Sequence, residues 1–252
     1  MAGQVDSAAI QLLAELVRCA GSVVALTGAG ISVPSGIPDF RSPATGIWQN
    51  VDPMEVAHID AWRRDPGRFW SFYGQRFQTL GDKLPNPAHE ALVELEHRGL
   101  VKAVITQNVD MLHRKAGTKA LVEVHGSIAS SSCLSCEAGY ELDQVLARLD
   151  RDNGLPECDC GRPLKPDVVL FGEFLPIEAL ERASTLAANA DLLLCVGSSL
   201  EVSPIAQLPQ LTLSGGGKVA IVTQGPTRWD SRAAAKLGGD VADELTALVA
   251  AL

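Results

Sequence analysis

Residues 23–32, VVALTGAGIS, give the strongest indication of the fold class, because they join a short apolar strand to a glycine-rich turn. VVALT has the length and composition of a buried strand. The glycines that follow allow a backbone to approach a phosphate group closely, and the start of a helix after them favours anions. The next glycine is Gly36, which departs from the usual G-x-G-x-x-G spacing. A simple tight turn therefore remains an alternative for this loop taken alone.

Strand and helix patterns alternate along most of the remaining chain. Short apolar runs predict further strands, and apolar residues at helical spacing predict helices. The predicted strands cover residues 101–105, 191–196 and 218–222, and the predicted helices cover residues 8–20, 86–99, 231–236 and 241–252. This alternation predicts an α/β fold with a Rossmann-like, doubly wound parallel sheet.

Two segments interrupt the alternation and predict an inserted small lobe. Residues 48–80 are rich in Trp and Phe at helical spacing, and residues 127–166 are polar and contain clustered cysteines. We expect a helical insert at 48–80 and a metal-binding module at 127–166. The Rossmann-like domain would then consist of residues 1–47, 81–126 and 167–252.

Composition limits the functional classes. Of the 252 residues, 46% are hydrophobic, so the chain can bury a sizeable core. The formal net charge of −9 argues against a nucleic-acid partner, which requires clustered Lys and Arg. No apolar run approaches the roughly 18 residues of a membrane span, and the first residues lack the pattern of a secretory signal. We therefore expect no membrane partner and a cytoplasmic location.

Polar side chains follow the predicted strand at 101–105. The sequence TQNVD brings Gln107, Asn108 and Asp110 to the end of an apolar run, where several polar groups would point into one small volume. This pattern indicates a binding site. The alternative is that Asn108 and Asp110 only cap a short helix over residues 111–115.

The cysteines fall into two kinds. Two isolated ones are expected to be small buried thiols, and four clustered ones predict a closed, structural zinc site in a reducing compartment. One pair has ordinary zinc-knuckle spacing, whereas the other has a single intervening residue, so free thiols or a lost site remain an alternative. The isolated residues are Cys19 and Cys195, and the predicted zinc ligands are Cys133, Cys136, Cys158 and Cys160.

Seven motifs together resemble the sirtuins, a family of NAD-dependent protein-lysine deacylases. In order along residues 20–250 they are GAGIS, GIPDFR, TQNVD, a lone HG at 125–126, the four-cysteine cluster, FGE at 171–173 and GSSLEVSP at 197–204. Their agreement is far more specific than any single motif. The resemblance implies that NAD is the cosubstrate, one zinc ion is structural, and acylated-lysine proteins are the partners.

The resemblance also implies the roles of the polar residues. Asn108 and Asp110 would hold the nicotinamide carboxamide, and Gln107 would contact the ribose. His125 would be the general base that activates a ribose hydroxyl, a role that suits imidazole. Thr223 departs from the Asn of many relatives, which puts an adenosine contact in doubt. The implied NAD-binding residues are Gly28, Ala29, Gly30, Ile31, Ile37, Asp39, Phe40, Arg41, Trp48, Gln107, Asn108, Asp110, Gly197, Ser198, Ser199, Thr223 and Gln224.

The substrate would bind between two chain edges as an added strand, through main-chain hydrogen bonds. Tyr73 and Arg76 are three residues apart on one helical face, and with Ala57 they resemble the Tyr-x-x-Arg signature of the desuccinylase branch. Arginine and tyrosine would bind the terminal carboxylate of a succinyl or malonyl chain. Alternatively, Tyr73 packs and Arg76 is solvated. The implied substrate residues are Ala57, Tyr73, Arg76, Val169, Phe171, Gly172, Glu173, Leu200 and Val202.

The leading hypothesis is thus an NAD-dependent lysine deacylase that favours succinyl and malonyl groups, with some activity on acetyl groups. Its products would be nicotinamide and O-acyl-ADP-ribose. Three alternatives remain open: a deacetylase without acidic-acyl preference, a nicotinamide oxidoreductase on the same fold, and a zinc-ribbon binding module without catalysis.

Overall fold

The computed structural model describes residues 6–39, 52–151 and 154–252. In this part of the chain, a six-stranded parallel sheet has the order β3-β2-β1-β7-β8-β9, and a small antiparallel sheet has the order β5-β4-β6. The strands are β1 (Val23–Thr27), β2 (Val101–Thr106), β3 (Leu121–Glu123), β4 (Gly126–Cys133), β5 (Gly139–Glu141), β6 (Leu164–Val168), β7 (Leu192–Val196), β8 (Lys218–Val222) and β9 (Ala235–Leu237). The order reverses between β1 and β7, which confirms the doubly wound α/β fold.

Side-chain caps define several helix starts. Asp6 accepts hydrogen bonds from two backbone N–H groups of the first helix, and Asn86 forms a capping box with His89 before a helix that begins with proline. The helices are α1 (Ser7–Cys19), α2 (Pro53–Val56), α3 (Ile59–Arg64), α4 (Pro66–Asp82), α5 (Pro87–His97), α6 (Leu112–Ala116), α7 (Leu142–Arg151), α8 (Ile177–Ala188), α9 (Leu208–Ser214) and α10 (Val241–Ala251).

Two apolar cores cover the two faces of the parallel sheet. Alternate residues of β1 serve each core: Val23 and Ala25 pack with α1, α5 and α10, whereas Val24 and Leu26 pack with α8 and the 205–208 region. All five residues of β1 and of β7 are buried, which explains why these strands are continuous apolar runs. The carboxyl ends of the strands are thereby fixed at one edge of the sheet.

Residues of the two predicted insertions share one apolar core, which we call the small lobe. Trp70 of α4 is fully buried, and its indole Nε1 donates to the carbonyl of Leu164 in β6 at 2.8 Å. Phe69, Phe77 and Leu142 lie in the same core. The helical insert and the cysteine-rich segment therefore support each other.

Two details of the sequence interpretation are wrong. Residues 231–236 do not form a helix; a single 3-10 turn (Asp230–Arg232) precedes β9, whose Ala235 and Leu237 are buried against the sheet core. A three-residue edge strand is too short to show alternation in the sequence. Cys19 is exposed at the end of α1, whereas Cys195 is buried as expected.

Within the described part of the chain, every helix is too short or too polar to span a membrane.

Candidate active site

The loops that follow β1 and β7 meet backbone to backbone where the strand order reverses. The N–H of Gly30 donates to the carbonyl of Gly197 at 2.8 Å. A Cβ on Gly30 would lie 2.7 Å from the Cα of Gly197, which itself has a φ of +59°. Only glycine fits both positions. The loop glycines therefore close two strand ends onto each other, in the crevice where doubly wound folds bind ligands.

Ser32 joins the two polar side chains predicted to hold a carboxamide. Its Oγ donates to Oδ2 of Asp110 at 2.6 Å and accepts from Nδ2 of Asn108 at 3.1 Å. Asn108 Nδ2 also donates to the carbonyl of Gly28 at 3.1 Å. The sequence interpretation missed Ser32, although its place in GAGIS was an available signal. The loop after β1 and the end of β2 thus form one polar cluster.

Asp110 is a buried carboxyl with two different partners. Its Oδ1 accepts from the N–H of Leu112 at 3.0 Å at the start of α6, and its Oδ2 accepts from Ser32, so Asp110 does more than cap this helix. The Asn108 side chain is directed to the loop after β1. Burial raises the pKa of Asp110, and the hydrogen bonds from Ser32 and from the Leu112 N–H oppose this rise. The Asp110 carboxyl therefore links the loop after β1 to the start of α6, with one oxygen bonded to each.

His125 follows β3 and is oriented by the end of β2. Its Nδ1 lies 2.9 Å from the carbonyl oxygen of Gln107, which can only accept, so Nδ1 carries the proton. The Nε2 of the neutral ring then has a free lone pair. Burial lowers the pKa of His125, and the hydrogen bond to Gln107 opposes this fall. The ring is thus a neutral base at neutral pH.

Gln107 links the ends of three strands. Its Nε2 donates to the carbonyl of Thr27 at 3.2 Å and to Oγ of Ser198 at 3.0 Å. Ser198 is buried and also accepts from the N–H of Leu200 at 3.2 Å. Gln107, whose carbonyl orients His125, is therefore itself held by hydrogen bonds to Thr27 and Ser198.

A buried imidazole lies behind this cluster. His113 Nε2 is 2.9 Å from Oγ1 of Thr27, which donates to Oγ1 of Thr106 at 2.8 Å, and Thr106 Oγ1 in turn accepts from the N–H of Asn108 at 3.1 Å. Burial lowers the pKa of His113 to about 3, so the ring is neutral. This chain of hydrogen bonds fixes the backbone at Asn108.

The remaining predicted NAD-binding residues have different surroundings. Phe40, Arg41 and Trp48 lie outside the described residues. The Ile31 side chain is fully buried in a sheet core, so only its backbone could contact a ligand. Thr223 is buried, and its Oγ1 lies 3.5 Å from the carbonyl of Gln224. Five further predicted NAD-binding residues are half-buried or exposed, namely Ala29, Ile37, Asp39, Ser199 and Gln224.

The edge predicted to bind substrate is partly paired already. Val169 donates its N–H to the carbonyl of His125 at 2.8 Å, and Phe171 donates to the carbonyl of Ala57 at 2.9 Å. The carbonyl of Phe171 accepts from Ile59, also at 2.9 Å. This segment therefore connects His125 to the helical insert. The Phe171 side chain is 42% exposed, so it can contact a ligand.

Glu173 is held by a buried lysine. Its Oε2 lies 2.9 Å from Nζ of Lys165 and accepts from the N–H of Leu170 at 2.9 Å. Lys165 also donates to the carbonyls of Pro166 and Val168 at 3.1 and 2.9 Å. Because the Glu173 carboxylate is engaged in this pair, its evident role is to shape the turn around Gly172, which has a φ of +84°. Sequence reasoning missed Lys165.

The opposite edge begins after Ser199. Leu200 has a φ of +55° and a buried side chain in the sheet core, so its backbone alone is available to a peptide. Val202 is half-buried, and its carbonyl accepts from Ala206 at 2.8 Å. At this edge the Leu200 side chain is therefore unavailable to a ligand, whereas the Val202 side chain is partly accessible.

Tyr73 and Arg76 lie on α4 and interact electrostatically. Burial raises the pKa of the Tyr73 hydroxyl to about 12, and the nearby Arg76 charge opposes this rise. The Arg76 guanidinium stacks on the Phe72 ring, with Cζ 3.7 Å from the ring centroid. Its Nη1 is buried and, among the described residues, has no hydrogen-bond partner. A buried guanidinium N–H without a partner is costly unless a ligand supplies an acceptor.

The four clustered cysteines meet at one point of the small lobe. Their Sγ atoms all lie within 4.8 Å of one another, and the Cys133–Cys160 and Cys136–Cys158 Sγ distances are 3.5 and 3.4 Å. A tetrahedral zinc ion with sulfur at 2.3 Å requires S···S distances of about 3.8 Å. The tetrad therefore fits a structural zinc ion, and four thiolates leave no open coordination position for water.

A doubly wound sheet with a glycine loop at its crevice and a neutral histidine nearby is typical of enzymes that bind a dinucleotide. The model of the Sir2 family matches residues 28–204. The chain belongs to this family, the NAD-dependent protein deacetylases and deacylases. The predicted family resemblance is thus confirmed.

Curated relatives and solved structures agree with this assignment. The chain is 45% identical to an NAD-dependent protein deacetylase of Sulfolobus acidocaldarius over 88% of this chain and 86% of that protein. It is 47% identical to an NAD-dependent protein deacylase of Thermococcus kodakarensis, over 82% of this chain and 81% of that protein. A Sir2 structure with a p53 peptide and NAD+ has a TM-score of 0.86 and 40% identity, with 93% and 94% of the two chains covered.

Proposed function

We propose that this protein removes succinyl and malonyl groups, and also acetyl groups, from lysine side chains of proteins, with release of nicotinamide and O-acyl-ADP-ribose. Family membership supports the deacylase reaction. The observation that carries the acyl preference is the buried Nη1 of Arg76, which has no hydrogen-bond partner within residues 6–39, 52–151 and 154–252 and whose charge acts on Tyr73. A carboxylate at the end of an acyl chain would accept from both side chains, because the phenol stays protonated at neutral pH.

The polar cluster accounts for the chemistry. Bound NAD would supply the ribose carbon that accepts the acyl oxygen as nicotinamide leaves. Asn108 and Asp110, braced by Ser32, would hold the departing carboxamide, because an amide and a carboxyl offer both donors and acceptors. His125 would take a proton from a ribose hydroxyl at Nε2, since its Nδ1–H is bound to Gln107.

The acylated peptide would lie between the 169–173 edge and the 200–202 edge as an added strand. Binding through main-chain hydrogen bonds would give weak sequence selectivity, because these bonds do not depend on the peptide side chains. The N–H groups of Val169 and Phe171 are already used within the protein, so the peptide would pair with other backbone groups of these edges.

A deacetylase without acidic-acyl preference is the second candidate, favoured by the names of several relatives. The test compares kcat/KM for acetyl-, succinyl- and malonyl-lysine versions of one peptide. Arg76→Met should lower desuccinylation about 10- to 150-fold, the equivalent of a charge-assisted hydrogen bond of about 1.5–3 kcal/mol, and leave deacetylation within about twofold.

Arg68→Met is the matched control, because Arg68 lies on the same helix but is 63% exposed and paired with Glu55. It should change neither activity. Equal losses of both activities in Arg76→Met would reject the acidic pocket and leave the deacetylase. An absence of nicotinamide release with NAD and any acyl-peptide would reject the deacylase itself, and an absorbance change of reduced nicotinamide would indicate an oxidoreductase.

A further inference from the structure

The second cysteine pair of the tetrad lies in a very short turn. Cys158 and Cys160 are separated by Asp159 alone, and the turn closes through hydrogen bonds from Gly161 and Cys158 to the carbonyls of Cys158 and Arg162, both at 2.8 Å. By contrast, Cys133 has the wider knuckle, in which the N–H of Ser135 lies 3.4 Å from its Sγ. The Cys158–Cys160 pair therefore has one residue between its two ligands, whereas the Cys133–Cys136 pair has two.

Tyr140 of β5 contacts this turn through its hydroxyl. The Oη lies 3.3 Å from Sγ of Cys158 and accepts from the N–H of Asp159 at 3.1 Å. A phenol has one proton, and the N–H of Asp159 already occupies a lone pair of Oη. The phenol proton is therefore free to point at the sulfur, and a metal-bound thiolate can only accept it.

Arg148 of α7 fixes the residues on both sides of Cys158. Its Nη1 donates to the carbonyl of Glu157 and its Nη2 to Oδ1 of Asp159, each at 2.8 Å. The guanidinium also covers the Tyr140 ring, with Cζ 4.3 Å from the centroid, and the side chain is only 16% exposed. The Arg148 guanidinium thus contacts both the Cys158–Cys160 turn and the Tyr140 ring and fixes their relative position.

We propose that Tyr140 is a positioning residue of the metal centre, which donates a hydrogen bond to the Cys158 thiolate, and that Arg148 holds Tyr140 and the Cys158–Cys160 turn in place. Hydrogen bonds to ligand atoms orient them and tune the metal. In this chain these hydrogen bonds compensate for the shorter spacing of Cys158 and Cys160, which have one residue between them where Cys133 and Cys136 have two. This role adds to the four ligands and is independent of the proposed acyl preference.

The test is competition for zinc between the full chain and a chromogenic chelator. Tyr140→Phe keeps the ring beneath Arg148 but removes the donor, so zinc affinity should fall about 10- to 100-fold, as for other losses of outer hydrogen bonds. Tyr73→Phe makes the same change at the other tyrosine of the chain and should leave zinc affinity unchanged. Arg148→Met should release zinc to the chelator faster than the wild type.

A cobalt-substituted protein provides a second readout. Loss of a hydrogen bond to a thiolate raises the energy of its lone pairs, so Tyr140→Phe should shift the sulfur-to-cobalt charge-transfer band to longer wavelength, and Tyr73→Phe should not. Wild-type zinc affinity together with an unshifted band in Tyr140→Phe would overturn the proposal. Equal zinc loss in both tyrosine variants would also overturn it.

Discussion

Removal of the Ser32 hydroxyl should damage both stability and NAD binding. Ser32 is 1% exposed, and its Oγ is bonded to Asp110 at 2.6 Å and to Asn108 at 3.1 Å. A hydrogen bond to a charged group contributes about 1.5–3 kcal/mol and a neutral one about 1 kcal/mol. Ser32→Ala should therefore lower the free energy of unfolding by about 2.5–4 kcal/mol and raise KM for NAD at least about tenfold, because the side chains proposed to bind the carboxamide lose their brace.

The stability loss should depend on pH in a defined direction. The Ser32 bond favours the ionised form of Asp110 and opposes the rise of its pKa, so its removal raises that pKa further. A carboxyl with a raised pKa stabilises the folded state least above that pKa, so the loss should grow as pH rises through it and shrink at lower pH.

Urea unfolding followed by circular dichroism at several pH values measures this loss, with KM for NAD measured in parallel. Ser71→Ala, which removes an exposed hydroxyl bonded to the carbonyl of Arg68, is the control and should stay within about 0.5 kcal/mol of the wild type. A loss that is constant or larger at low pH would refute the assigned role of Asp110.

Three further predictions follow from other parts of the site. The acidic limb of kcat/KM should have a pKa below 6.5, because burial lowers the pKa of His125 and the neutral ring is active; a limb above 6.5 in a pH–rate profile would contradict this. Lys165→Met should raise KM for the acyl-peptide about tenfold with KM for NAD unchanged, since the turn at Glu173 loses its cation; steady-state kinetics with each substrate varied would expose equal changes in both constants. Gly30→Ala should destabilise by about 2 kcal/mol or more, because the added Cβ would lie 2.7 Å from Gly197; an unchanged urea midpoint would disprove this contact.

Local sequence patterns by themselves determine much of the architecture of this protein. The apolar run and glycine turn at 23–32, the alternation of strands with helices, and the order of the seven motifs predict a doubly wound fold and the Sir2 family, and both are confirmed. These features are encoded by neighbouring residues, whose periodicity and turn chemistry act over a few positions. The mistaken helix at 231–236 marks the limit of such patterns, since a three-residue strand acquires its identity from the sheet beside it.

Contacts between distant segments determine which side chains support the site. Ser32 meets Asp110, Lys165 meets Glu173, and Tyr140 meets Cys158 across 78, 8 and 18 positions of sequence. The parallel sheet and the small lobe bring these partners together, and a serine, lysine or tyrosine taken alone gives no sign of its partner. Burial then determines what each group does: it lowers the pKa of His125, raises that of Asp110 and leaves a nitrogen of Arg76 without a partner among the described residues. Burial depends on packing between segments distant in sequence, and for that reason the chain order alone could not reveal it.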